Sequence, residues 1–244
     1  NGLSHLPAMI ELFTTLILPL LVMKLRIWGA REPTMVASKT PIVGVLLAGG
    51  LSRRMGGGDK SLMELGGDTI LARVVKRAQP QVKTLILNAN GDPGRFEGFG
   101  LPVVEDVIGG FAGPLAGILT GMTWTLKNAP EATWMASFAT DAPFLPENLV
   151  ARLVDAVENS DQDIACAMSA GRTHPVFALW RVALKDDLRL AMEDEDMRKI
   201  DRWTSRYRVA HVDFDVEQFD PFFNVNRPEN LDEATKFLIE KGAA

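Results

Sequence analysis

Residues 42–60 read IVGVLLAGGLSRRMGGGDK. Ile42, Val43, Val45, Leu46 and Leu47 form a short, nearly unbroken apolar run, which predicts a strand buried on both faces, as in a parallel sheet. Gly49, Gly50, Gly56, Gly57 and Gly58 then make a loop whose backbone can reach φ > 0 and offer amide N–H groups to an anion at close range. Arg53, Arg54 and Lys60 add fixed positive charge to it. A strand that delivers a glycine-rich, basic loop to a sheet edge has the outline of a phosphate-binding device. Two familiar versions are excluded. The P-loop requires G-x-x-x-x-G-K-[ST], whereas Lys60 follows Asp59, and G-x-G-x-x-G is absent from the loop.

Downstream, Ser61 to Leu65 reads as extended and Gly66-Gly67-Asp68 as a turn. Thr69 caps a helix whose apolar positions Ile70, Leu71, Val74, Val75 and Ala78 keep helical spacing until Pro80. Val82 to Leu87 predicts a second buried strand, ending at Asn88-Ala89-Asn90. Strand, helix, strand implies a parallel pair with a right-handed crossover, and the ligand crevice of such a sheet lies beyond the carboxyl ends of its strands. Gly49 and Asn88 emerge there. A third strand, Leu101 to Val104, delivers Glu105 and Asp106 to the same edge. A helix from about Pro114 to Lys127 follows, with Pro114 in its first turn and Gly113 and Gly117 leaving room for close approach to its N-terminus. A fourth strand, Thr133 to Ala139, ends at Asp141, where Pro143 and Pro146 prevent continuation and begin the next helix.

Beyond Ser160, Asp163 to Met168 and Thr173 to Leu179 read as a hairpin around Gly171, appended to the parallel core. Helical stretches near Val182 to Met192 and Met197 to Trp203, a strand from Tyr207 to Val212, and a last helix reaching about Lys241 complete the chain. The expected fold is one Rossmann-like α/β domain, residues 41–244, with a mostly parallel central sheet and an appended β-hairpin.

With 244 residues the chain can bury one large core, and 47% hydrophobic against 23% charged residues is globular composition rather than disorder. A net charge of −5 argues against bulk nucleic-acid binding. The single cysteine, Cys166, excludes a disulfide framework and multi-cysteine metal sites; in IACAM it reads as a buried strand thiol, which fits a reducing cytoplasm. Residues 1–40 are expected to stand outside the core domain. Leu12 to Met23 is apolar but short of the roughly 20 residues a membrane span needs, and it contains Pro19. No basic residue precedes it and no A-x-A-like site follows, so a secretory signal is poorly supported. A non-functional extension ahead of Met35, a helix packed on the domain, and membrane attachment stay open as readings, in that order.

The loop LAGGLSRRMGGGDK closely resembles the L-A-G-G-x-S-x-R-M-G-x-D-K signature of the nucleotidyltransferases that attach a nucleotide to molybdopterin, in particular the molybdenum cofactor guanylyltransferases. LNAN, VVED…GGFAGPLAG, TDAPFLP and FFNVNRPENL match the same family, so the resemblance spans roughly residues 42–235. It implies a cytoplasmic enzyme, expected to be a monomer, that joins the phosphate of Mo-molybdopterin to the α-phosphorus of GTP, releases pyrophosphate, and uses Mg²⁺. Transient contact with cofactor-biosynthesis proteins or molybdoenzyme chaperones is an expectation of the same resemblance. The phosphate monoester, with a second pKa of about 6, needs no strong base, so the work lies in charge neutralisation and in-line positioning.

Arg54 and Lys60 are expected to supply fixed charge against the triphosphate, and Asp141 to hold the metal. Leu47, Ala48, Gly49, Gly50, Asn88, Asp106, Gly113 and Gly117 are expected on the nucleotide side. Asn224 and Asn226, which share a face about Val225, are expected to meet the pterin or complete the metal site. Arg198 and Lys199 resemble a basic pair on the molybdopterin side. His174-Pro175 also recurs in the family, and His174 is given no catalytic role. Two rivals remain: a sibling cytidylyl- or sugar-phosphate nucleotidyltransferase, which shares the loop and the aspartate, and a non-catalytic GTP-binding adaptor.

Overall fold

In a computed structural model the described residues are 41–48, 59–110, 113–158, 160–216 and 218–240. The apolar run becomes β1 (Ile42–Leu47), hydrogen-bonded on both edges. Its side chains divide by parity: Ile42 and Leu46 enter one core, Val45 the other, so the run is apolar throughout because both of its faces are covered.

β2 (Glu64–Leu65) and β3 (Asp68–Thr69) form a small separate hairpin, turned by Gly66 and Gly67, both at positive φ as a two-residue turn of this kind requires. The expected extended stretch from Ser61 is instead a 3₁₀ turn over Lys60–Leu62, because the Asp59 carboxylate accepts from Ser61 N at 3.1 Å and Ser61 Oγ at 2.7 Å. Thr69 caps α1 (Ile70–Ala78) through Ala72 N, and a 3₁₀ turn at Pro80 leads into β4 (Thr84–Asn88). β5 is only Val103–Val104, shorter than expected since Pro102 lacks a donor. Then come α2 (Pro114–Asn128), β6 (Trp134–Ala139) and α3 (Leu149–Val157).

The predicted hairpin is β7 (Ile164–Ser169) and β8 (Arg172–Arg181), turned at Ala170 and Gly171. Val182–Leu184 is a 3₁₀ turn ahead of α4 (Lys185–Asp194), and α5 is confined to Ile200–Thr204 because Lys199 is extended. β9 (Val209–Phe214) lies two residues later than expected, and α6 is Pro228–Glu240.

One seven-stranded sheet runs β5-β4-β1-β6-β8-β7-β9, with β8 alone antiparallel to its neighbours. The hairpin therefore continues the main sheet, its second strand lying against β6. α1 and α3 cover one face, through Leu71, Val74, Leu149 and Leu153. α2, α4 and α5 cover the other, through Leu115, Ile118, Leu188, Met192 and Trp203. A third cluster, with Leu65, Ile70, Phe144, Val225 and Leu238, fastens α6 and the segment before it to the small hairpin. Among the described residues no helix is long and apolar enough to cross a membrane. The extension expected at residues 1–40 lies outside the described residues.

Candidate active site

Parallel strands place their C-terminal ends on one edge, and here that edge is hollow. A cavity of about 460 Å³ is bounded by Leu47 and Ala48 at the end of β1, Asn88 at the end of β4, Thr140 and Asp141 after β6, and His174 on β8. The strand ends are tied to one another. Ala48 N donates to Asn88 O at 2.9 Å, and Thr140 Oγ1 donates to Leu47 O at 3.2 Å.

Lys60 lines the cavity. Its Nζ lies 3.4 Å from Asp141 Oδ2 and also donates to Asn226 Oδ1. Burial pushes the Asp141 carboxyl above its ordinary pKa, since the charged form loses hydration, and the Lys60 ammonium opposes that rise. Asp141 O accepts from Val225 N at 2.8 Å, which fixes the C-terminal segment across the end of β6. Val225 is fully buried while Asn224 and Asn226 are exposed, so one docked valine sets the facing of both asparagines. Asn224 lines the cavity.

The opposite end is a hydrogen-bonded clamp. Asn88 is buried, and its amide donates to Val104 O at 3.1 Å and Asp106 Oδ1 at 2.9 Å. Asn90 donates to Asp106 Oδ2 at 2.7 Å and accepts from Asp106 N at 2.9 Å. Both Asp106 oxygens are thereby oriented, and both Asn88 amide hydrogens are engaged within the protein. Gly113, at φ 73°, lines the cavity at the start of α2.

Gly117 does not line it. A Cβ built there would fall 2.4 Å from Asn88 Oδ1 and 2.7 Å from Leu47 Cδ2. The group that comes close to this helix is thus Asn88 rather than a ligand. Arg198 and Lys199 are exposed and likewise off the cavity wall: Arg198 donates to Met192 O and Met197 O and pairs with Asp196. Gly49, Gly50 and Arg54 lie outside the described residues.

Three further residues stand beside the predicted ones. Asp59 aims Lys60 by capping the turn that carries it, and D-K-S has the pattern of an Asx turn. Asn90 sat two residues from Asn88 in the quoted LNAN. His174, given no catalytic role on sequence, lines the cavity. Cys166 is the buried strand thiol that was expected, its pKa pushed up to about 12 by burial.

Among the described residues no three His, Cys, Asp or Glu side chains gather closely enough to hold a metal by themselves. A cation on Asp141 would complete its shell with phosphate oxygens and water, which is how Mg²⁺ is commonly held.

The model of the MobA-like NTP transferase domain matches residues 44–210. A molybdenum cofactor guanylyltransferase of Rhodopseudomonas palustris is 55% identical over 195 residues, covering 80% of this chain and 93% of that protein. Among solved structures, a molybdopterin-guanine dinucleotide biosynthesis protein A from Archaeoglobus fulgidus superposes with a TM-score of 0.62 at 22% identity, covering 81% of this chain and 99% of that one. A Mycobacterium tuberculosis protein solved in complex with manganese superposes at 0.60 with 18% identity, covering 81% of this chain and 99% of that one. The domain match spans more than half the sequence and the relative far exceeds a chance level of identity, so the chain belongs to the MobA-like NTP transferase family.

Proposed function

We propose that this chain transfers the guanylyl group of GTP to the phosphate of Mo-molybdopterin, giving the guanine dinucleotide form of the cofactor and pyrophosphate. A phosphate oxygen of the acceptor forms a bond to the α-phosphorus as the bond from that phosphorus to the β-phosphate oxygen breaks. The observation that carries the reading is the meeting of Lys60 with Asp141 in a cavity at the strand ends, in a chain 55% identical to a protein named for this activity.

Each end of the cavity has a role in this scheme. Guanine presents N1–H and N2–H donors side by side, and a carboxylate with both oxygens already aimed, as in Asp106, suits that pair. Asn88 then acts chiefly through Asp106. Lys60 places an ammonium against the triphosphate, and Arg54 is assigned the same task. The N-terminus of α2 at Gly113 adds a partial positive charge. Asp141 and Asn226 hold Lys60 in place before substrate arrives, and Asn224 faces the acceptor. Mg²⁺ held by Asp141 would neutralise phosphate charge and stabilise the charge on the leaving pyrophosphate. An enzyme using GTP and a labile cofactor is expected in the cytoplasm, as a monomer that hands its product to a receiving protein.

Pyrophosphate release measured with molybdopterin and GTP, CTP, ATP or UTP in turn tests this reading. Turnover is expected with GTP and Mg²⁺. Turnover with CTP alone would move the assignment to a cytidylyltransferase, and GTP binding without turnover would favour the adaptor reading.

A further inference from the structure

The cavity wall farthest from Asp106 is made by β8, where one side chain has an arrangement that guanylyl transfer has not so far used. β8 pairs with β6 only as far as Ser137↔Ala178. Against β7 its register shifts between Cys166 and Ala167, so that Ala178 faces Cys166 while His174 faces Ala167. Pro175, Val176 and Phe177 are the surplus residues of this irregularity, and past it Phe138 and Ala139 have no β8 partner. The sheet opens at that point, and His174 lines the opening.

The imidazole is held on one face and at one edge. Its ring stacks on Phe222 with centroids 4.5 Å apart and 28° between planes. Nε2 lies 2.7 Å from Ser169 Oγ, and Ser169 is fully buried. Ser169 Oγ lies 2.9 Å from Asp220 Oδ1, which also accepts from Phe222 N at 2.9 Å. Ser169 Oγ donates its single hydroxyl hydrogen to Asp220 Oδ1. Oγ must then take its bond from Nε2–H, which leaves Nδ1 as the nitrogen with a lone pair. No described residue donates to Nδ1. Burial, opposed by Asp220 and assisted by Arg172, holds the His174 pKa below its ordinary value, which favours the neutral ring.

We infer that His174 binds the acceptor substrate, its Nδ1 accepting a hydrogen bond from a ring N–H of the pterin, while Ser169 and Asp220 are positioning residues that fix its tautomer. This rests on the guanylyl-transfer reading for the identity of the acceptor. The sheet order sets the placement: Asp106 follows β5 and His174 is on β8, four strand intervals away, or roughly 19 Å at the usual spacing. That span accommodates a nucleotide lying from Asp106 towards Asp141 and leaves the β8 end for the second substrate. A lone pair repels phosphate oxygens, so the group suited to Nδ1 is an N–H donor, which pterin rings carry.

Two substitutions separate the nitrogens. In His174→Gln the amide reaches the Nε2 position and keeps the Ser169 contact but offers nothing at Nδ1; in His174→Asn the side-chain oxygen takes the Nδ1 position. Pyrophosphate release with both substrates varied should show the KM for molybdopterin raised about five- to tenfold in H174Q, the loss of one neutral hydrogen bond, with the KM for GTP unchanged. H174N should recover most of that loss. Equal KM values for molybdopterin in wild type and H174Q, or equal rises for both substrates in both variants, would overturn the inference. A second readout does not need turnover: ¹⁵N spectra of wild-type protein should show His174 protonated at Nε2 only, with the Nδ1 signal moving when 6-hydroxymethylpterin is added. A proton on Nδ1, or a signal indifferent to the pterin, contradicts the inference even where guanylyl transfer holds. Absence of GTP turnover in wild type, beside a pterin-responsive Nδ1, places the failure in the guanylyl reading instead.

Discussion

Lys60 and Asp141 lie 81 residues apart in sequence, yet Lys60 Nζ stands 3.4 Å from Asp141 Oδ2. The contact joins the turn that follows the glycine-rich segment to the end of β6, and Val225 N closes it from a third direction by binding Asp141 O. Three stretches of chain thus meet at one pair of charges. In the guanylyl-transfer scheme GTP enters between these groups, and each side chain has a separable consequence.

Lys60→Gln keeps a hydrogen-bonding side chain but removes the fixed charge. The kcat for GTP-dependent pyrophosphate release is expected to fall about 10²- to 10³-fold, the scale of losing one preorganised electrostatic contact to the transition state. Unchanged far-ultraviolet circular dichroism would show that the fold is intact.

Asp141→Asn should act in opposite directions on activity and on stability. The folded-state pKa of Asp141 is raised, so the native state binds more protons than the unfolded state between the ordinary carboxylate pKa and the raised one, and stability falls as pH climbs through that window. Above it, the ionised group is a cost that asparagine removes. Without divalent cation at pH 7 the variant should melt at a higher temperature than wild type. It should also lose turnover and the stabilisation that Mg²⁺ with GTP gives wild type. Thermal unfolding followed with and without Mg²⁺ and GTP checks both.

Gly117→Ala reverses an ordinary expectation. In an exposed helix interior the change stabilises by up to about 1 kcal/mol. At this position the added methyl would meet Asn88 Oδ1 at 2.4 Å and Leu47 Cδ2 at 2.7 Å. A destabilisation of about 1–3 kcal/mol is expected, the usual range for overpacking, together with a raised KM for GTP. Denaturant unfolding and steady-state kinetics measure the two.

Asn88→Asp tests the clamp. It replaces two donors with an acceptor 2.9 Å from Asp106 and sets two carboxylates together at a buried position. GTP affinity should drop at least tenfold, and the loss should ease as pH is lowered and the pair shares a proton. Equilibrium binding of GTP at pH 5.5 and pH 8 decides it.

The fold was legible where local signals and burial agree. The run from Ile42 to Leu47 reads as a strand with both faces covered, and Thr69, Pro80 and Pro114 mark helix ends that the structure retains. Lys60 and Asp141 were legible as candidates because one follows a glycine-rich loop and the other follows a strand. Their juxtaposition was not, since it depends on the order of strands in the sheet. The purpose of Gly117 could not be read either: its neighbours Asn88 and Leu47 come from other strands, and a glycine in sequence does not say which group needs the space. Arg198 and Lys199 are not among the residues lining the cavity, although the Arg198 carbonyl lies 3.8 Å from the Cβ position of Gly113, which is; Arg198 itself turns back to Met192 O. The role inferred for His174 needed the surplus residues Pro175–Phe177, which shift β8 against β7, and strand periodicity carries no record of such a shift.

The most direct measurement of the central claim is a crystal structure of the full chain with Mg²⁺ and a GTP analogue whose α,β-bridging oxygen is replaced by methylene. The account predicts guanine at Asp106, the triphosphate within hydrogen-bonding reach of Lys60 Nζ, and the metal on Asp141. A nucleotide bound away from the Lys60–Asp141 pair, or seated with its base against His174, would contradict it.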